Sequence, residues 1–199
     1  MKNQELAEIY RSHLQKFGDT AAACQWGSES SQRQRLEILL AIADRADLIN
    51  ILDFGCGNGV LASLIPPNCS YTGIDIVAEF LALAHAKFPQ HRFCTQKDVE
   101  TDRFDYIFIS GTFNINTGNN ELFLQKTLRW CGDRATKGIA FNLLSTYADW
   151  YDPNLFYKSP ESTISLIKSE FGRHCRIQAR NDYLLDASVP IEYSVFIKF

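Results

Sequence analysis

A chain of 199 residues, 46% hydrophobic and 22% charged, has the size and mixture of one globular domain with a sizeable core. Its formal net charge of -3, with Lys and Arg spread rather than clustered, argues against a large nucleic-acid footprint and favours a small-molecule or peptide partner. No apolar run is long enough to span a bilayer, and Met1 to Phe17 is too polar for a secretory leader, so a cytoplasmic protein is expected.

From Lys2 to Phe17, the residues Leu6, Ile9, Tyr10, His13, Leu14 and Phe17 recur at helical spacing and predict an amphipathic helix ended by Gly18 and Asp19. A polar stretch from Trp26 to Ser31 leads into a second helix. There Ser31 and Gln34 have the spacing of a capping box, and Leu36, Leu39, Leu40 and Ala43 make the buried stripe. Residues 1–47 therefore read as an N-terminal helical cap on a core of residues 48–199 within a single domain.

From Leu48 onward short apolar runs alternate with turns and helical segments, the pattern of β and α units in a doubly wound, mostly parallel sheet. Strands are expected at Asn50 to Phe54, Tyr71 to Ile74, His91 to Cys94, Tyr106 to Ser110, Gly138 to Leu144, Arg176 to Arg180 and Tyr193 to Phe199. Helices are expected near Val60 to Leu64, Val77 to Phe88, Glu121 to Cys131 and Glu161 to Phe171. The end of the chain, Glu192 to Phe199, alternates polar and apolar residues, which suits an antiparallel strand inserted by a hairpin.

The six cysteines, Cys24, Cys56, Cys69, Cys94, Cys131 and Cys175, form no C-x-x-C pair and have no His at ligand spacing. They read as reduced, small buried hydrophobes. His13, His85, His91 and His174 lack any triad or metal context and read as structural.

The most informative stretch is Ile51-Leu52-Asp53-Phe54-Gly55-Cys56-Gly57-Asn58-Gly59, a buried strand running into three alternating glycines and a helix start. Glycine there permits positive φ and close approach of a ligand to the backbone, at the sheet edge where open α/β sheets bind ligands. A dinucleotide site needs G-x-G-x-x-G facing a pyrophosphate, whereas this turn is D-x-G-x-G-x-G. Asp53 would repel a pyrophosphate but suits a cationic methionine moiety through its α-ammonium or an ordered water.

Asp75, at the end of the next strand, can take two ribose hydroxyls. Asp98, after the third, can accept from an adenine amino group, with Ile76 and Val99 sandwiching the ring. Each has a plainer reading: a tight βα turn, a helix N-cap at Asp75, an exposed loop acid at Asp98.

On these residues the stretch from Ile51 to Leu144 resembles the Rossmann-like class I S-adenosylmethionine-dependent methyltransferases. The resemblance implies a seven-stranded sheet of order 3-2-1-4-5-7-6 with strand seven antiparallel, and S-adenosylmethionine as cofactor. Carried over, Asp53, Gly55, Cys56, Gly57 and Asn58 would line the methionine part. Asp75 and Ile76 would hold ribose and adenine, and Asp98 and Val99 the adenine.

The resemblance also implies that methyl group and substrate meet after the fourth strand, with Ser110 and Gly111 against the cofactor and Asn114 against the substrate. No Asn-Pro-Pro-Tyr-like motif or Pro-Cys pair stands there, and Thr112 to Asn120 contains no Asp or Glu, so no metal is expected. Displacement at a sulfonium needs alignment more than a dedicated base, and no catalytic residue is singled out. Asn142 and the aromatic loop residues Tyr147, Trp150, Tyr151 and Tyr157 can wall a substrate pocket, or simply pack on the sheet. Trp26, Gln32 and Arg35 can close over the cofactor, Arg35 as partner of its carboxylate or as a solvated helix residue.

The expected activity is therefore metal-independent methylation of a small molecule or peptide. A nucleic-acid or protein methyltransferase, or a non-catalytic interaction protein retaining the fold, are the alternatives.

Overall fold

The structure, a computed structural model, describes residues 3–47, 49–183 and 192–199. Among the described residues, five α-helices and eight strands follow one another as α1 (Asn3–Phe17), α2 (Glu29–Leu40), β1 (Asn50–Phe54), β2 (Ser70–Ile74), α3 (Ala78–Lys87), β3 (Arg92–Cys94), β4 (Phe104–Ile109), α4 (Asn120–Gly132), β5 (Ala135–Ser145), β6 (Tyr157–Lys158), α5 (Pro160–Phe171), β7 (Arg176–Arg180) and β8 (Glu192–Lys198). They build one sheet of order β3-β2-β1-β4-β5-β8-β7, in which β8 runs antiparallel to both neighbours. This is the expected seven-strand path. It gains β6, which pairs in parallel with Leu144 and Ser145 where β5 continues past the end of β4.

Side-chain alternation along the central strands sends residues to two cores. In β4, Ile107 and Ile109 join Leu52, Phe141 and Val195 beneath Leu124 and Leu128 of α4 and Ile167 of α5. Tyr106 and Phe108 face the other way, against Ile51, Ala140 and Phe196, with Leu36, Leu39 and Leu40 of α2. Covering both faces explains the fate of β8. Its polar and apolar residues alternate as expected, yet Glu192 to Ile197 are all buried, because the strand lies between β5 and β7 under helices.

Several local expectations are corrected. The cap of α2 is Ser28, whose hydroxyl accepts from Ser31 N at 3.1 Å, three residues before the expected Ser31–Gln34 box. Because α2 ends at Leu40, its stripe finishes there, and the next fully buried residue is Ile42 rather than Ala43. Val60–Ser63 forms a single 3-10 turn in place of an α-helix. The first helix starts at Asn3, and Lys2 lies outside the described residues.

α1 and a 3-10 turn at Ala21–Cys24 pack on α3 through Ala7, Ala23, Val77 and Phe80. Exposed ion pairs tie the same segment down, Arg11 to Glu79 at 2.7 Å and Lys87 to Asp19 at 3.1 Å. Surface pairs of this kind contribute less than about 1 kcal/mol each, so apolar packing holds the segment.

Candidate active site

The turn after β1 is built as the glycine spacing requires. Gly55, Gly57 and Gly59 have φ of +78°, +51° and +79°, a region that side chains rarely adopt. A Cβ on Gly55 would overlap the Thr112 hydroxyl. Gly55 N and Cys56 N both donate to Ile74 O, at 2.8 and 3.0 Å, which locks the turn to the end of β2.

Two carboxyls face this turn. Asp75 accepts from Gly57 N and Val77 N, each at 2.9 Å. Burial raises its pKa, opposed by the N–H groups of Val77, Gly57 and Ile76. A carboxylate has about four lone-pair positions, so Asp75 keeps capacity for a ligand hydroxyl. Asp53 is buried, and Tyr71 OH donates to it at 2.7 Å. Burial, only partly offset by that hydrogen bond, pushes Asp53 up to about 7, with the Asp75 charge adding to the rise.

The opposite wall comes from β4, α2 and β8. Gly111 N donates to Asn142 Oδ1 at 2.8 Å, and a Cβ on Gly111 would lie 2.5 Å from Trp26 Cζ2, so glycine lets the indole close over the strand end. Trp26 stacks on the Arg35 guanidinium, 4.6 Å from ring centroid to carbon. Arg35 donates through Nε to Glu192 Oε2 at 2.7 Å and through Nη1 to the carbonyl and hydroxyl of Ser31. Glu192 also accepts from Tyr183 OH at 3.3 Å. Its pKa is raised by burial, against the opposing pull of Arg35, Asn142 and Tyr183. Ser110 Oγ is buried and has no hydrogen-bond partner among the described residues.

These groups surround a cavity of about 410 Å³, within the usual range for small-molecule sites. It brings together Trp26, Gln32, Arg35, Asp53, Gly55, Cys56, Gly57, Asp75, Ile76, Ser110, Gly111 and Asn114. Other expected residues stand apart from its wall. Asn58 is buried and pins the N-terminal segment by donating to Asp19 Oδ1 at 2.9 Å. Asp98 is exposed, its carboxylate held in a capping box by Thr95 N at 2.8 Å and Thr95 Oγ1 at 2.6 Å, and Gln96 lines the cavity at that strand end. Val99 is wholly buried in the core. Asn142 reaches the site through its neighbours, holding Gly111 N with its Oδ1 and hydrogen-bonding Glu192.

Tyr147, Trp150 and Tyr151 are exposed. Tyr147 OH donates to Glu161 at 2.7 Å, and Tyr157 packs edge-on against Tyr151 with centroids 4.7 Å apart. Tyr10, Gln96, Phe123, Leu155 and Glu192 line the cavity without having been expected. Of these only Glu192, a carboxylate in an apolar strand, carried a readable signal. Among the described residues no group of three or more His, Cys, Asp or Glu is placed to hold a metal ion.

The residues fit S-adenosylmethionine: a glycine cradle that a Cβ would fill, a buried Asp53 and a half-buried Asp75 that no described Lys or Arg pairs with, and a hydroxyl without a partner among the described residues in the same wall. Sheet order, the antiparallel β8 and this turn define the class I methyltransferase fold. Residues 51–133 match the family model described as a methyltransferase domain. The matched segment runs from β1 through β4 to the end of α4, and the fold around it is that of the class I S-adenosylmethionine-dependent methyltransferases.

Among solved structures, it resembles magnesium protoporphyrin IX methyltransferase from Synechocystis PCC 6803 with bound SAM, at 12% identity and TM-score 0.63, over 84% of this chain and 78% of that one. It also resembles DhpI in complex with SAM and HEP, at 10% identity and TM-score 0.68, over 98% and 96%. The small RNA methyltransferase HEN1 aligns at 16% identity and TM-score 0.60, over 83% of this chain but 25% of that one. At these identities the likeness is one of fold. No curated protein sequence matches the chain.

Proposed function

We propose that this chain transfers a methyl group from S-adenosylmethionine to a small molecule bound in the same cavity, without a metal. The observation that carries this reading is the continuity of one mostly apolar cavity from the glycine turn to the ends of β4, β5 and β8. S-adenosylmethionine would supply an activated methyl on a sulfonium, whose displacement depends on alignment and exclusion of water rather than on a Lewis acid.

In this reading Asp75 and Ile76 hold ribose and adenine, and Gln96 stands at the adenine end in place of Asp98. Asp53 faces the α-ammonium, and the Gly55–Gly57 backbone makes room for the methionine part. Trp26 covers the strand end at which the methyl is presented. Residues 1–47 act as a cap of one domain whose core is residues 48–199, since Tyr10, Trp26, Gln32 and Arg35 all enter the cavity wall. A nucleic-acid acceptor is disfavoured by charge. The exposed aromatics after β5 stand beside Asp149 and Asp152 in sequence, and the nearest basic residue, Lys158, is paired with Glu121. Six unpaired cysteines suit a reducing compartment, and we read the protein as cytoplasmic.

Calorimetric titration with S-adenosylmethionine, S-adenosylhomocysteine and NAD tests the cofactor; the first two should bind and NAD should not. Label from methyl-tritiated S-adenosylmethionine should then enter a small-molecule extract rather than total RNA or total protein. Incorporation into RNA or protein alone would reject the acceptor class while leaving the cofactor in place.

A further inference from the structure

Away from the glycine turn, the cavity wall contains a charge pair that cofactor binding does not explain. Arg35 from α2 and Glu192 from β8 both line it, with side chains each 3% exposed. Arg35 uses Nε on Glu192 and Nη1 on Ser31, and Nη2 has no hydrogen-bond partner among the described residues. Glu192 accepts from Arg35, Tyr183 and Asn142, which leaves about one of its four lone-pair positions. A donor and an acceptor therefore stand side by side in a wall whose charges cancel. Ile115, Phe123 and Leu155 supply apolar lining to the same cavity.

Such a wall discriminates by charge. An anionic ligand group would bring a second negative charge to Glu192, and a cationic group a second positive charge to Arg35. Either leaves one buried charge uncompensated, which is strongly unfavourable. A hydroxyl can donate to Glu192 and accept from Arg35 at once and adds no charge. Resting on the methyl-transfer reading above, we propose that the acceptor is a largely apolar small molecule carrying an uncharged hydroxyl, and that Arg35 and Glu192 are the specificity-determining pair that docks it.

Benzyl alcohol, benzoate and benzylamine share a ring and differ in the terminal group, so they probe the wall directly. Titrated into wild-type protein saturated with S-adenosylhomocysteine, the alcohol should bind tighter than either ion by about tenfold or more, the worth of roughly one hydrogen bond. Glu192→Met leaves Arg35 unpaired and should switch the preference to benzoate. Arg35→Met leaves Glu192 unpaired and should switch it to benzylamine.

If either single variant fails to fold, the wild-type ranking still decides, and Arg35→Met with Glu192→Met should weaken the alcohol by about tenfold, the loss of its hydrogen bonds, without admitting either ion. Tighter binding of an ion to wild type, no detectable alcohol binding, or single variants that keep the wild-type ranking would each overturn the proposal. Failure of S-adenosylhomocysteine itself to bind would instead reject the cofactor reading.

Discussion

Asp53 gives a pH-dependent test, because a buried carboxyl held at about 7 stands where the proposed function puts a cation. A sulfonium and an α-ammonium favour its ionised form. If only that form accepts the cofactor, the apparent Kd is multiplied by 1 + 10^(7 − pH), so affinity falls about tenfold from pH 8 to pH 6. Binding near pH 6.5 should release a proton, visible as different calorimetric enthalpies in phosphate and Tris buffers.

The free protein should show the opposite slope. Between 3.8 and about 7 the folded state holds a proton that the unfolded state has lost, so this carboxyl makes stability fall as pH rises through that window. The shift of about 3 units sets a ceiling of roughly 4 kcal/mol on that loss. Asp53→Asn should flatten both slopes. Equal affinity at pH 6 and pH 8, with no buffer-dependent enthalpy, would refute the placement of a cation beside Asp53.

Asp75→Ala removes the acceptor for Gly57 N and Val77 N together with any ribose contact, and should weaken S-adenosylmethionine binding by roughly 1.5 to 3 kcal/mol by calorimetry. Unchanged affinity in a folded variant would remove the ribose assignment. Gly111→Ala combines a φ of +71° with the collision against Trp26. It should cost about 1 to 3 kcal/mol in urea unfolding and lower cofactor affinity as the indole is displaced. Leu128→Ala, in the wholly buried face of α4, should cost roughly 2 to 5 kcal/mol in stability and leave cofactor affinity at 10 °C near wild type.

The parts of the site that were legible in sequence are those written locally. Strand β1 and its three glycines are contiguous, and Asp75 follows the strand hydrogen-bonded to that turn, so a short window contains the cradle proposed for the cofactor. The antiparallel β8 was readable because successive side chains go to opposite faces of the sheet, and its polar residues fall on one of them. What escaped was set elsewhere. Glu192 acquires its meaning from Arg35, 157 residues away. The aromatic loop after β5 took its course from β6, a two-residue strand with no pattern to read. Asp98 was misread for a local reason: Thr95 stands three residues before it, the spacing of a capping box, and that short-range bond competes with any role toward a ligand.

Orientation within a continuous cavity follows from where its charges are left unpaired. At the glycine turn, Asp53 and Asp75 face the cavity, and no described Lys or Arg donates a hydrogen bond to either. Both are raised by burial, so both gain when a cation arrives. At the other wall Glu192 is a third buried carboxylate, and alone it would offer a rival seat to the same cation. Its pairing with Arg35 removes that seat, and the guanidinium in turn lies over the ring of Trp26, which closes over Gly111. One arginine on α2 thus ties the neutrality of the acceptor wall to the position of the indole over the strand end. It follows that Arg35→Met should do more than admit amines: by exposing a second cation site it should lower the selectivity with which the cavity seats a cationic donor at the glycine turn.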